Sequence, residues 1–140
     1  AHNAEGAQAL AAVLDTLARQ PTALVFSVVE GKPAREMLEI LAPRFDAVFV
    51  TRSSNSRSVD PATLHALASA QPGAGKVISI SDPLEALAAA RARVGPSTAS
   101  NKGLVVGAGS TFLVGDLRAS LLYETRDPLP TSDPISSRRR

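Results

Sequence analysis

Four short apolar runs punctuate the chain, at residues 22–29 (TALVFSVV), 46–51 (DAVFVT), 76–80 (KVISI) and 103–107 (GLVVG). The first of these stays apolar at successive rather than alternate positions, which suits a strand covered on both faces, as parallel strands are. Between the runs, apolar residues recur every three or four positions, as on one stripe of a helix. A regular alternation of buried strand and helix leaves few topologies open. The expectation is an α/β domain with a doubly wound, mainly parallel sheet.

The intervening segments carry their own start and stop signals. Residues 4–19 read as a first helix, with Ala7, Leu10, Ala11, Leu14 and Leu17 on one side, a cap at Asn3 and a stop at Pro21. Pro33 suits the first turn of a second helix with Met37, Ile40 and Leu41 facing inward, ended by Pro43. Asp60 and Pro61 open a third as cap and first residue, with Leu64, Leu67 and Ala68 inward and His65 beside that face near Ser69. Asp82 followed by Glu85 resembles a capping box and opens a fourth, extending to about Val94. Residues 95–102 form a linker of small polar residues. After a glycine turn at 107–109, Leu113, Val114, Leu117 and Leu121 follow helical spacing, so a fifth helix is expected from about Ser110.

A chain of 140 residues fits one domain with a core of its own. The expected domain spans residues 1–126, and the Pro- and Ser-rich residues 127–140 are expected to be a disordered tail. The formal charge is +2, but Arg138, Arg139 and Arg140 supply three positive charges, so the remainder is close to neutral and no nucleic-acid partner is expected. With no cysteine and only His2 and His65, neither a disulfide framework nor a zinc site is expected. No apolar run approaches membrane-spanning length and no charged-then-apolar leader opens the chain, so the reading is a soluble, cytoplasmic protein with no membrane partner. An opening Ala1 with no initiator Met suggests a piece of a longer protein.

In open α/β sheets, ligands bind outside the carboxyl ends of the strands, where loops and helix N-termini converge. Lys32 follows the first strand, the apolar-free loop Arg52-Ser53-Ser54-Asn55-Ser56-Arg57-Ser58 the second, and Ser110 the fourth. His2, next to the cap Asn3, heads the first helix and can join that edge. Together these supply an ammonium, a guanidinium able to grip a carboxylate by two hydrogen bonds, and a hydroxyl beside helix N–H groups. Such a set suits an anionic small molecule, including the carboxylates of an amino acid. Each residue also has a plainer use: Lys32 as a solvated turn residue, Arg57 as a partner of Asp60, Ser110 and Asn3 as helix caps. The long glycine loop with Lys-Ser or Lys-Thr that cradles nucleotide phosphates is absent, and Gly107 and Gly109 are followed by Phe112 rather than a third glycine. The chain alone is therefore not expected to bind ATP strongly.

Several stretches resemble one family. Ala1-His2-Asn3 with Glu5-Gly6-Ala7 is similar to the second half of the Asp-Gly-Ala-His-Asn segment that opens the C-terminal domain of folylpolyglutamate synthase/dihydrofolate synthase, in the Mur ligase superfamily. Leu41-Ala42-Pro43-Arg44-Phe45-Asp46, leading into residues 48–51, resembles its Leu-Ala-Pro-x-Phe-Asp and strand. Asn55-Ser56-Arg57 is similar to the Asn-Pro-Arg loop that related Mur ligases use for the incoming amino acid. Gly109-Ser110-Thr111-Phe112-Leu113-Val114-Gly115-Asp116-Leu117-Arg118 resembles the family's Gly-Ser-Leu-Tyr-Leu-Val-Gly-Glu-Val-Arg, the most specific of these matches.

The resemblance implies a Rossmann-like Mur ligase C-terminal domain and ATP-dependent amide formation. A carboxyl of a folate or dihydropteroate is phosphorylated with ATP and Mg, and the amine of L-glutamate attacks the acyl phosphate. An upstream ATPase domain of the same protein carries the phosphate loop and most metal ligands, while the C-terminal domain closes over the site. The resemblance assigns His2 to the catalytic centre and, with Asn3, to the nucleotide side, and assigns Ser110, Arg57 and Lys32 to the substrate. It places no metal ligand here. The family's Asp-Lys-Asp is Gly31-Lys32-Pro33 in this chain, and the proline of Asn-Pro-Arg is Ser56. Two other readings are a non-catalytic α/β module for a small anion or a partner protein, and the C-terminal domain of another Mur-type ligase.

Overall fold

The computed structural model describes residues 2–17, 20–96, 98 and 103–124. Four parallel strands, β1 (Thr22–Phe26), β2 (Ala47–Val50), β3 (Lys76–Ser79) and β4 (Leu104–Ala108), stand in the order β3-β2-β1-β4. Helices α1 (Ala4–Asp15), α2 (Ala34–Leu41), α3 (Pro61–Ser69), α4 (Pro83–Val94) and α5 (Thr111–Glu124) flank them. Because strand side chains alternate between faces, β1 feeds two cores at once. Leu24 and Phe26 pack with Val48, Val50, Met37, Leu38, Leu41 and Leu64 on one side. Ala23 and Val25 pack with Ala47, Phe49, Ala86, Leu87, Ala90, Leu113 and Leu117 on the other.

The strand, helix and sheet expectations hold, with differences at the edges. α1 ends at Asp15, well before Pro21: the backbone N–H groups of Thr16 and Leu17 turn to the carbonyls of Val13 and Leu14, tightening the last turn. Leu17 therefore falls outside the helix and is exposed rather than inward, while Arg19 lies outside the described residues. β1 is shorter than its apolar run. Beyond Phe26 its two neighbours have ended, and Val29 instead makes an antiparallel bridge to Ser58. Leu38 joins the core of α2, which ends at Leu41 ahead of Pro43 as expected, and Pro43 itself sits in a 3-10 turn over Ala42–Arg44. The expected caps are in place: Asn3 accepts from the Gly6 N–H at 2.7 Å, Asp60 from Ala62 at 3.2 Å and Asp82 from Leu84 at 3.0 Å. His65 is half-buried, with Ser69 3.4 Å from its Nδ1. Most of the 95–102 linker and all of the 127–140 tail lie outside the described residues.

The chain returns from the β3 edge across the sheet to β4 through α4, so β1 and β4 diverge into helices on opposite faces. α1 lies with α2 over one face, and its last residue, Asp15, meets Arg44, which stands just ahead of β2 (Nε to Oδ1 3.1 Å). α1 thus runs antiparallel to the strands and presents its N-terminus at their carboxyl edge. Phe26 is fully buried in the centre of one core. Phe26→Ala is expected to lower stability by about 3–5 kcal/mol, read from urea denaturation, and a loss under about 1 kcal/mol would contradict this packing.

Candidate functional site

Where β1 and β4 part, their carboxyl ends form the crevice in which a doubly wound sheet receives ligands. Gly109 follows β4 with φ +111°, and a Cβ there would lie 2.0 Å from the Ser27 carbonyl oxygen. Only glycine permits both that backbone conformation and that approach. The turn delivers Ser110 to the head of α5, buried at 4% exposure, with its Oγ accepting from the Phe112 N–H at 3.1 Å. Ser110 is thus a helix cap whose hydroxyl proton remains available to donate.

The loop after β2 has no apolar side chain to bury, and polar contacts hold it. Ser58 Oγ accepts from the Ser53 N–H at 2.9 Å and lies 3.0 Å from Ser27 Oγ and 3.2 Å from Ser53 Oγ. With one proton to donate and two lone pairs to accept, the Ser58 hydroxyl can satisfy all three contacts. All three serines are buried, so the knot is shielded from competing water. At the loop's crown, Asn55 Oδ1 accepts from the Arg57 N–H at 2.8 Å. On the α5 side, Asp116 Oδ2 accepts from the Ser54 N–H at 2.9 Å.

Arg57 and Lys32 are neighbours through the turn after β1. The Glu30 N–H donates to the Arg57 carbonyl at 2.9 Å, and Arg57 Nη2 donates to the Glu30 carbonyl at 3.3 Å. The Arg57 and Glu30 side chains form a loose pair at 4.0 Å, each 67% exposed. Pairs this exposed contribute roughly 0–1 kcal/mol, so a ligand carboxylate could displace Glu30 at little cost. Arg57 does not pair with Asp60. That carboxylate caps α3 and faces Arg52 Nη2 at 3.6 Å, because the antiparallel bridge between Val29 and Ser58 turns Arg57 towards Glu30 instead. The Lys32 side chain is exposed in the same turn. His2 is exposed beside the cap of α1 at the same carboxyl edge, and among the described residues no hydrogen bond or ion pair ties it to the loops.

The fold therefore sets the Arg57 loop against the turn that carries Lys32, holds Ser110 beside the end of β1, and sets His2 on the same edge. Sequence reasoning missed Ser27, Ser58 and Asp116 as supports. Ser27 had a signal, being the one serine inside the apolar run 22–29, whereas Asp116 reads as an ordinary polar helix residue. A cleft of about 470 Å³ also opens at this edge between Arg52, Ser54, Ser81, Leu84 and Asp116. A larger one, about 850 Å³, lies at the opposite, amino edge around Pro21, Pro43 and Phe45, away from all these residues. Among the described residues no cluster of three His, Asp or Glu side chains is arranged to hold a metal, and no helix is long and apolar enough to cross a membrane.

These features define the class of open, doubly wound α/β domains with polar loops gathered over the crevice between β1 and β4. Within that class the chain belongs to the family described as Mur ligase, glutamate ligase domain, whose model matches residues 1–110. The chain is similar to Mycobacterium tuberculosis folylpolyglutamate synthase complexed with ADP and AMPPCP (30% identity, TM-score 0.75), over 92% of this chain and 29% of that one. It is also similar to Thermotoga maritima folylpolyglutamate synthase (32% identity, TM-score 0.70), over 89% of this chain and 27% of that one. The E. coli FolC in complex with DHPP and ADP shares the fold at 18% identity and TM-score 0.74, over 90% of this chain and 28% of that one. The chain thus spans less than a third of the length of these structures. No curated protein sequence matches it.

Gly109→Ala is expected to destabilise the domain by about 3 kcal/mol or more, from the disfavoured φ and the clash with Ser27. A thermal melt within 2 °C of the parent would contradict the geometry of this turn.

Proposed function

We propose that the chain, with residues 1–126 as its folded unit, is the C-terminal domain of a cytoplasmic, ATP-dependent folate ligase. The enzyme joins L-glutamate to a carboxyl group of a folate or dihydropteroate through an acyl phosphate. The observation that carries this reading is membership of the glutamate ligase family together with a polar carboxyl edge, to which the ends of β1, β2 and β4 bring Lys32, Arg57 and Ser110. ATP with Mg supplies the phosphoryl group that activates the carboxylate. Without the long glycine loop and without an acidic cluster among the described residues, this domain leaves the triphosphate and metal to an upstream ATPase domain of the same protein. Family structures hold ADP, AMPPCP or DHPP, which supports a nucleotide and a folate-like substrate for the whole enzyme.

In this reading the domain's own residues bind and orient. Arg57 leaves Glu30 to grip a glutamate carboxylate, for which its planar fork is suited, and Lys32 adds a second positive charge. Ser110 Oγ–H donates to an oxygen of substrate or phosphoryl group, in line with the unpaired N–H groups at the head of α5. His2 and Asn3 close on the nucleotide side as the domain docks. Concentrating these cations at one edge raises the local concentration of an amino acid with two carboxylates and holds its amine for attack.

In the full-length ligase, Arg57→Ala is expected to raise the glutamate KM about tenfold or more with a smaller change in kcat. His2→Ala and Ser110→Ala are each expected to lower kcat/KM by at least about tenfold. Ser110→Ala also removes a cap worth about 1 kcal/mol, so its melting curve is measured alongside. Near-normal turnover and glutamate KM in both variants would overturn the assignment. The 140-residue chain alone is expected to show no ATP-dependent glutamate ligation, and measurable ligation would refute the division of labour between domains.

A further inference from the structure

The loop that carries Arg57 has a weakness written into its sequence: from Arg52 to Ser58 nothing is apolar, so burial cannot fix its conformation. One flank is secured by the buried hydroxyl knot of Ser27, Ser53 and Ser58. The other flank has a support from far along the chain, where Asp116, about one and a half turns into α5, accepts the Ser54 N–H at 2.9 Å. The same helix holds Ser110 at its head, so α5 presents one site group and braces the loop of another. A carboxylate accepting a backbone N–H makes a charge-assisted bond, stronger than the amide–water contact that would replace it.

We infer that Asp116 is a positioning residue for glutamate binding, setting the Arg57 loop in register with Ser110 without itself touching substrate. This rests on the ligase reading. Half-buried Asp116 is spent on the Ser54 amide, and its negative charge makes it a poor direct partner for the carboxylates of glutamate. Its contribution is therefore expected in the glutamate KM, where loop geometry counts, and not in the binding of ATP.

The test compares Asp116→Ala, Asp116→Asn and Asp82→Ala in the full-length enzyme. Asn keeps an oxygen acceptor for the Ser54 N–H. Asp82→Ala removes the cap of α4 beside the same cleft while leaving the Asp116–Ser54 bond in place. The expected result for Asp116→Ala is a glutamate KM raised roughly five- to tenfold, with the ATP KM unchanged. Asp116→Asn is expected within about threefold of wild type, and Asp82→Ala is expected to lose stability with an unchanged glutamate KM. Hydrogen exchange of the peptide covering residues 52–58, followed by mass spectrometry, is expected to quicken in Asp116→Ala and not in Asp116→Asn. A wild-type glutamate KM in Asp116→Ala, or an equal rise in Asp82→Ala, overturns the inference. Absence of ligation by the wild-type enzyme would refute the ligase reading itself, and the exchange experiment would then still decide whether Asp116 holds the loop.

Discussion

β1 is hydrogen-bonded to a strand on each side and covered by helices on both faces, and every other element takes its place from that. Its alternate residues belong to different cores, Leu24 and Phe26 to one and Ala23 and Val25 to the other. A strand so enclosed cannot be an edge, and its neighbours β2 and β4 reach it by crossovers that lie on opposite faces. The divergence of those crossovers opens the crevice at the carboxyl ends. Gly109 belongs to the same constraint, since the approach of its backbone to the Ser27 carbonyl is what keeps β4 close to β1 just before α5 begins.

Against that rigid sheet the site is built from weakly held parts. The Glu30–Arg57 pair is exposed and long, and pairs of that kind contribute little to stability. The knot of Ser27, Ser53 and Ser58 is the opposite case, short and buried, where an unmade hydrogen bond would leave a desolvated hydroxyl. Strong buried contacts at the root of the loop and weak exposed ones at its crown give a guanidinium that is held in place yet free to change partner.

The placement of the candidate residues was legible in part. Arg57, Lys32 and Ser110 could be picked out because each follows a strand-length apolar run, and the carboxyl ends of parallel strands converge. Arg57 was also open to pairing with Asp60, and local spacing could not decide between that and a freer guanidinium. The bridge between Val29 and Ser58 settled it, and that bridge joins residues far apart in sequence. Asp116 figured only inside the resemblance over residues 109–118 and was given no role, because a polar residue on a helix is unremarkable until the fold sets it against a loop 62 residues earlier.

By itself the sequence determined the class of fold. Periodicity and capping act over a few residues, so continuous apolar runs, Asn3, Asp60 and Asp82 could announce strands and helix starts before any packing was known. Tertiary structure alone decided where β1 stops pairing, why Leu17 lies outside α1, the order β3-β2-β1-β4, and which acids face which arginines. Those outcomes depend on contacts between distant segments, whose energies no local pattern contains.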